Sequence, residues 1–216
     1  MEANILTLLR IALVFVAIGL FELRYPVILA LATVLVAIVL YLDALDGFIA
    51  RKLKVASDFG ALFDIVGDRI VEAVLWIYFA IAGMVSLWVP MIVITRGFLT
   101  DSVRTVAFQS GHTAFGEKTM MKSPLTRFMV ASRFSRGLYG GMKAALFVYL
   151  GFLRFLAAAI ETHGWPISNG TMDLLQLIAT ILAYATVALC IIRGLPVLWD
   201  GRGILFRKSY SSSLEP

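Results

Sequence analysis

Six apolar runs constrain this chain more than any other feature of its 216 residues. They cover roughly residues 4 to 22, 26 to 50, 59 to 86, 88 to 110, 133 to 160 and 171 to 193. A run of about 20 apolar residues is what a helix needs to cross the hydrocarbon layer. Lipid offers the backbone no hydrogen-bond partner, so a spanning segment must satisfy its own N–H and C=O groups, which a helix does. The composition agrees: 60% of residues are hydrophobic and 15% charged, against about 25% charged in a soluble domain. The expectation is an all-α, polytopic membrane protein of six transmembrane helices, with one membrane domain over residues 1–208 and a disordered tail, SYSSSLEP, at 209–216. The first run lacks a small-residue cleavage site and reads as a retained span. Cys190 is the single cysteine, which excludes a disulfide within the chain and reads as a packed or lipid-facing thiol.

The breaks between runs have local causes. Pro26 and Pro90 suit the first turns of the second and fourth helices, Ser57 or Asp58 can cap the third, and Gly164, Pro166, Asn169 and Gly170 mark a turn before the sixth. Basic residues set the orientation: Arg51, Lys52 and Lys54, then Lys118, Lys122 and Arg127, then Arg202, Arg207 and Lys208 all fall on one side. The opposite connections hold Arg24 with Glu22, and His163. The positive-inside rule therefore puts both termini in the cytosol. Residues 111 to 132 suit a polar surface segment or a short interfacial helix. The net charge of +5 matters less than this distribution.

Against this apolar background the stretch DALDGFIARKLKVASDFGALFDIVGD stands out. Asp43, Asp46, Gly47 and Ala50 recur at i, i+3, i+4 and i+7, on one face of the second helix. Gly60, Asp64 and Asp68 recur at i, i+4 and i+8 on the third. A short basic turn joins the two helices, so they run antiparallel and can face each other. Four like charges would repel unless cations bind between them. Oxygen ligands without His or Cys suit Mg²⁺, Mn²⁺ or Ca²⁺. Asp43 lies about 25 Å along its helix from Pro26 at 1.5 Å per residue, near the cytosolic end of the hydrocarbon. Helix-end snorkelling or capping is the bland alternative, and it suits Asp58 as well as a site role does. Charges inside spans are costly and mark function. Glu72, one turn past Asp68, carries no assignment. Small Gly47, Ala50 and Gly60 serve close helix packing, close ligand approach, or both, and Arg51 serves either as a positive-inside charge or as a diphosphate partner.

The pattern Asp43-x2-Asp46-Gly47-x2-Ala50-Arg51-x8-Gly60-x3-Asp64-x3-Asp68 resembles the signature of the CDP-alcohol phosphotransferases at every defined position. That resemblance implies transfer of a phosphatidyl group from CDP-diacylglycerol to an alcohol, with release of CMP. It implies a two-metal site, Mg²⁺ or Mn²⁺, served by Asp43, Asp46, Asp64 and Asp68, with Asp68 as general base for the acceptor hydroxyl. Asp43, Gly47, Ala50, Arg51 and Gly60 would border the cytidine and diphosphate, with Asp58 beside them.

Other stretches resemble the phosphatidylglycerophosphate synthase branch. EANILTLLRI carries Asn4, Thr7 and Arg10 at i, i+3 and i+6; Asn4 and Thr7 suit the nucleotide site or simple N-terminal capping. TRGFLTDSVR sets Arg96 and Arg104 on roughly one face, and GGMKAA supplies Lys143. Arg96, Arg104, Lys143 and Arg10 would bind the phosphate of the acceptor. The sequence departs from that branch at Gly97, where a glutamate is usual, and in having one lysine in GGMKAA. Both sn-glycerol 3-phosphate and inositol 1-phosphate fit such a pocket. Arg133 and Arg136 either join it or mark the cytosolic boundary of the fifth span.

Two other classes compete. A cation transporter also uses intramembrane carboxylates, but it favours broken helices and internal repeats, and neither is legible in this sequence. A scaffold without chemistry leaves the convergent carboxylates unexplained. His112 and His163 form no zinc or nucleophile-base pattern. The expected setting is the cell (inner) membrane with the site facing the cytosol, membrane lipid and CDP-diacylglycerol as partners, no nucleic acid, and small-residue faces that permit a homodimer.

Overall fold

A computed structural model describes residues 2–53, 58–109 and 123–205. Seven helices account for them in chain order: α1 Glu2–Glu22, α2 Pro26–Leu53, α3 Asp58–Ile81, α4 Trp88–Gln109, α5 Pro124–Ala131, α6 Arg133–His163 and α7 Asn169–Leu205. Among the described residues there is no strand. Six of the helices answer the six apolar runs, and α5 falls inside the segment expected to be polar surface or a short helix. The expectations placed on Lys54, Ser57, Lys118, Lys122, Arg207, Lys208 and the tail at 209–216 lie outside the described residues.

The helix boundaries follow local chemistry. Pro26 opens α2, where its missing N–H costs nothing. Met84 N–H bonds back to the Phe79 carbonyl at 3.0 Å and Gly83 N–H to Ala80 at 3.0 Å, with Gly83 at φ +73°. This is a left-handed glycine cap, and it ends α3 at Ile81, five residues before the expected boundary at 86. Ser168 Oγ accepts the Thr171 N–H at 3.2 Å, the N-cap contact that starts α7. That helix runs on past 193 to Leu205 with Pro196 inside it. Proline removes the bond to the carbonyl four residues earlier and crowds that carbonyl, yet the helix continues, so the expected boundary at 193 falls inside it.

Four stretches are long and apolar enough to cross a membrane: Ile5–Glu22, Pro26–Asp43, Phe128–His163 and Asn169–Arg202. The six-span expectation is thus met in part. Asp64, Asp68, Arg69 and Glu72 set α3 apart from these four, as Arg96, Asp101 and Arg104 do α4. The chain is a membrane protein by the distribution of its surface as well. On α1 the buried stripe is Thr7, Arg10, Val14, Ala17 and Phe21, while Ile5, Leu8, Leu9 and Phe15 are exposed. Polar-in and apolar-out is the pattern of a helix solvated by lipid tails.

The helices pack as two compact units. The first comprises residues 1–92 and 140–187. In it α1 packs on both α2 and α3, and Phe21, Trp76, Phe79 and Phe147 are fully buried. Trp76 and Phe147 meet edge to face with centroids 4.8 Å apart, while Phe21 stacks on Tyr78 at 5.2 Å, geometries that add to simple burial. Gly67 on α3 lies hard against the Thr7 methyl of α1, so any side chain there would push the two helices apart.

The second unit comprises residues 93–139 and 188–216. Its described core is Val103, Val130 and Val197, with Leu198 packed against them. Thr126 of α5 donates to Asp200 Oδ2 of α7 at 2.9 Å, which ties the short helix down.

Candidate active site

In the first unit, Asp43 near the end of α2 and Asp64 and Asp68 on α3 are brought together around one guanidinium. Arg10 Nη1 pairs with Asp43, and its Nη2 pairs with Asp64 at 2.7 Å and Asp68 at 3.1 Å. Arg10 is 1% exposed, one of the largest fully buried side chains, whereas the three carboxylates are half-buried. The geometry follows from register. Positions 64 and 68 are one turn apart and share a face, and α1 delivers Arg10 from the same buried stripe that carries Thr7 and Val14 into the packing.

Among the described side chains, one guanidinium thus faces three carboxylates, and a low-dielectric setting strengthens their mutual repulsion. Each of Asp43, Asp64 and Asp68 offers an oxygen, all within 4.8 Å of one another. Ligands opposite each other across Mg²⁺ stand about 4.2 Å apart, and across Ca²⁺ about 5 Å, from the usual metal–oxygen distances. The spacing and the all-oxygen donor set therefore fit a hard divalent cation.

The other residues expected at the site distribute as follows. Asp46, Gly47, Ala50 and Arg51 lie on α2, Asp58 opens α3, and Asn4 lies on α1. Gly60 is half-buried on α3. Thr7 is buried against Gly67. Arg10, expected with the acceptor phosphate, lies among the carboxylates. Lys143 of α6 pairs with Glu72 of α3 at 3.1 Å.

Arg96 and Arg104 belong to the second unit. There Arg193, 6% exposed, donates to Ser135 Oγ and to the Met129 carbonyl at 3.3 Å. Arg96 and Arg193 each place their guanidinium carbon 5.8 Å from the Tyr139 ring centroid, in the range of a cation–π contact. Arg96, Arg104 and Arg136 all act electrostatically on Arg193. Arg104 pairs with Asp101 at 3.4 Å. Gly194 leaves the room that Arg96 fills, since a Cβ there would come within 2.7 Å of the Arg96 Cγ.

Neither Arg69 nor Arg193 is singled out by the sequence, and Glu72 is noticed there without a role. For Glu72 the signal was present, because 64, 68 and 72 continue one helical stripe. Arg193 sits where an apolar run ends, and a charge in that place reads as a boundary.

A groove in the first unit completes the inventory. Its walls are Thr33, Ala37, Leu40 and Tyr41 of α2 and Ala144, Ala145, Val148 and Phe152 of α6, around a volume of about 710 Å³. Gly151 of α6 touches Thr33 of α2. The lining ends at Tyr41, two residues before Asp43, on one wall and at Ala144, next to Lys143, on the other.

Residues 1–201 match the family described as CDP-alcohol phosphatidyltransferase. A CDP-diacylglycerol–glycerol-3-phosphate 3-phosphatidyltransferase from Pseudomonas fluorescens is 30% identical over 116 residues, 52% of this chain and 59% of that protein. One from Rickettsia typhi is 29% identical over 101 residues, 47% of this chain and 57% of that protein. The chain spans a little over half the length of these curated relatives.

Proposed function

The chain belongs to the CDP-alcohol phosphatidyltransferase family, and on that premise we propose that it transfers a phosphatidyl group from CDP-diacylglycerol to sn-glycerol 3-phosphate, giving phosphatidylglycerophosphate and CMP. The observation that carries this reading is the convergence of Asp43, Asp64 and Asp68 within 4.8 Å, on the motif positions that define the family's chemistry. Asp46 joins them by its register on α2. Mg²⁺ or Mn²⁺ held by these carboxylates would neutralise the donor's diphosphate and stabilise the phosphate of the departing CMP.

The residues of the chain do the rest. Asp68 takes the proton of the acceptor hydroxyl as its oxygen bonds to the phosphatidyl phosphorus; the bond from that phosphorus to the CMP oxygen breaks, and CMP leaves. Arg10 keeps the carboxylates grouped by offsetting part of their charge. Gly47, Ala50, Arg51, Gly60, Asp58, Asn4 and Thr7 border the nucleotide. One acyl chain of the donor lies in the α2–α6 groove, whose apolar lining leads along α2 to Asp43. Lys143 binds the acceptor's phosphate; the assignment of Arg96 and Arg104 to the same phosphate rests on the resemblance of TRGFLTDSVR.

Six spans with cytosolic termini, in the cell (inner) membrane, would face the site to the cytosol, where water-soluble acceptors are found. The basic residues between the runs support that orientation. Gly97 and the single lysine of GGMKAA depart from the phosphatidylglycerophosphate synthase branch, and inositol 1-phosphate is a second acceptor that fits the same machinery.

Purified protein with CDP-diacylglycerol and Mg²⁺ or Mn²⁺, offered glycerol 3-phosphate, inositol 1-phosphate, inositol and serine in turn, tests the reading through CMP release. Release with glycerol 3-phosphate above all others is the expected result. Release only with an unphosphorylated alcohol overturns the acceptor assignment, and none with any acceptor overturns the reaction.

A further inference from the structure

Glu72 is a carboxylate taken almost wholly out of solvent, its side chain 6% exposed. It lies four residues past Asp68, hence on the same face of α3 and about 6 Å further along the helix at 1.5 Å per residue. A carboxylate so placed is costly unless paired, and here one oxygen takes two cations. Oε2 receives Lys143 Nζ of α6 at 3.1 Å and Arg69 Nη1 of α3 at 3.0 Å. The cations are more open than the anion beneath them: their side chains are 20% and 28% exposed. One sequestered carboxylate oxygen thus holds two partly accessible cationic side chains in one place.

We propose that Glu72 is a positioning residue that fixes Lys143 and Arg69 as a two-cation seat for the acceptor's phosphate, one turn from the base Asp68. The inference rests on the reading above that the acceptor is a phosphorylated alcohol. It adds two residues, Glu72 and Arg69, to which the motif gives no role. Neither long cation is held by rigid backbone. A lysine or arginine free in solvent loses about 2 kcal/mol of rotamer entropy when it is pinned by a ligand. A shared buried carboxylate imposes that order before the ligand arrives, and a phosphate then meets donors already in place.

The sign of the effect separates positioning from plain electrostatics. Were Glu72 only a nearby anion, its neutralisation would strengthen the attraction for phosphate and lower the acceptor KM. Positioning predicts the reverse. For Glu72→Gln we expect the KM for glycerol 3-phosphate to rise about ten- to hundredfold, the size of one or two charge-assisted hydrogen bonds, with kcat and the KM for CDP-diacylglycerol changed less than about threefold. Lys143→Met should give a similar rise, and the double variant little more than either alone. Lys143→Arg should retain most of the wild-type KM.

Calorimetric titration of the purified, detergent-solubilised protein with glycerol 3-phosphate or inorganic phosphate gives a readout that needs no turnover. Weaker binding in Glu72→Gln supports the seat. An unchanged or lower acceptor KM, unchanged phosphate binding, or a loss of thermal stability with normal acceptor kinetics overturns it. Should Glu72→Gln fail to fold, Arg69→Met and Lys143→Met each leave Glu72 a partner and carry the same test. Wild-type protein that releases no CMP with any acceptor but binds phosphate through this triad would refute the reaction and leave the seat standing.

Discussion

In the first unit three carboxylates from α2 and α3 close on a single guanidinium, Arg10. In the second, Arg193 feels Arg96, Arg104 and Arg136 and spends its described hydrogen bonds on neutral oxygens of Ser135 and Met129. Among the described residues, the first region gathers three anions on one cation, while in the second Arg193 meets neutral oxygens and Arg104 pairs with Asp101. Membrane-embedded charge of this kind persists where it does chemistry. The difference teaches that a buried guanidinium can be held in opposite surroundings: among carboxylates for Arg10, and among neutral oxygens and an aromatic ring for Arg193.

The comparison breaks most visibly at Asp68. Asp68→Asn should lower kcat about 10²- to 10⁴-fold, the usual worth of a positioned base, while CDP-diacylglycerol still binds in an equilibrium assay. If Asp68→Asn turns over normally, the base lies elsewhere. Next come Asp43→Asn and Asp64→Asn, which remove a ligand each and should weaken Mn²⁺ binding at least about tenfold, since even outer-shell partners are worth that much. Electron paramagnetic resonance of free Mn²⁺ reads it directly.

Arg193→Met tests the opposite region. It should lower stability by about 1 to 3 kcal/mol, because the Ser135 and Met129 oxygens lose their buried donor, and a thermal melt reads this as a lower Tm. An unchanged Tm would mean that these bonds do not hold the second unit. The smallest chemical effect is expected at Gly67→Ala, where the new methyl meets Thr7. Overpacking of this kind costs about 1 to 3 kcal/mol, seen as a lower Tm with kcat nearly intact.

Much of this was legible in the sequence because the bilayer allows few solutions. Run length gave the helices, and Pro26 and the glycine-rich turns gave several ends. The i, i+4, i+8 spacing of Gly60, Asp64 and Asp68 put carboxylates on one face before any coordinates. What escaped depends on contacts between helices. Nothing local to EANILTLLRI says that Arg10 will lie on Asp43, Asp64 and Asp68 rather than on a ligand's phosphate, because that follows from how α1 packs on α2 and α3. Nor does GGMKAA announce that Lys143 meets Glu72. The apolar run pointed to an end near 193 that α7 passes through on its way to Leu205.

The claim on which the account turns is that the Asp43, Asp64 and Asp68 face takes up a divalent cation together with the donor. Titration of Mn²⁺ into purified protein with and without CDP-diacylglycerol, followed by electron paramagnetic resonance, tests it most directly. The account predicts saturable binding that the donor tightens and that Asp64→Asn loses. Binding that is absent with donor present, or that survives Asp64→Asn and Asp43→Asn unchanged, would contradict it.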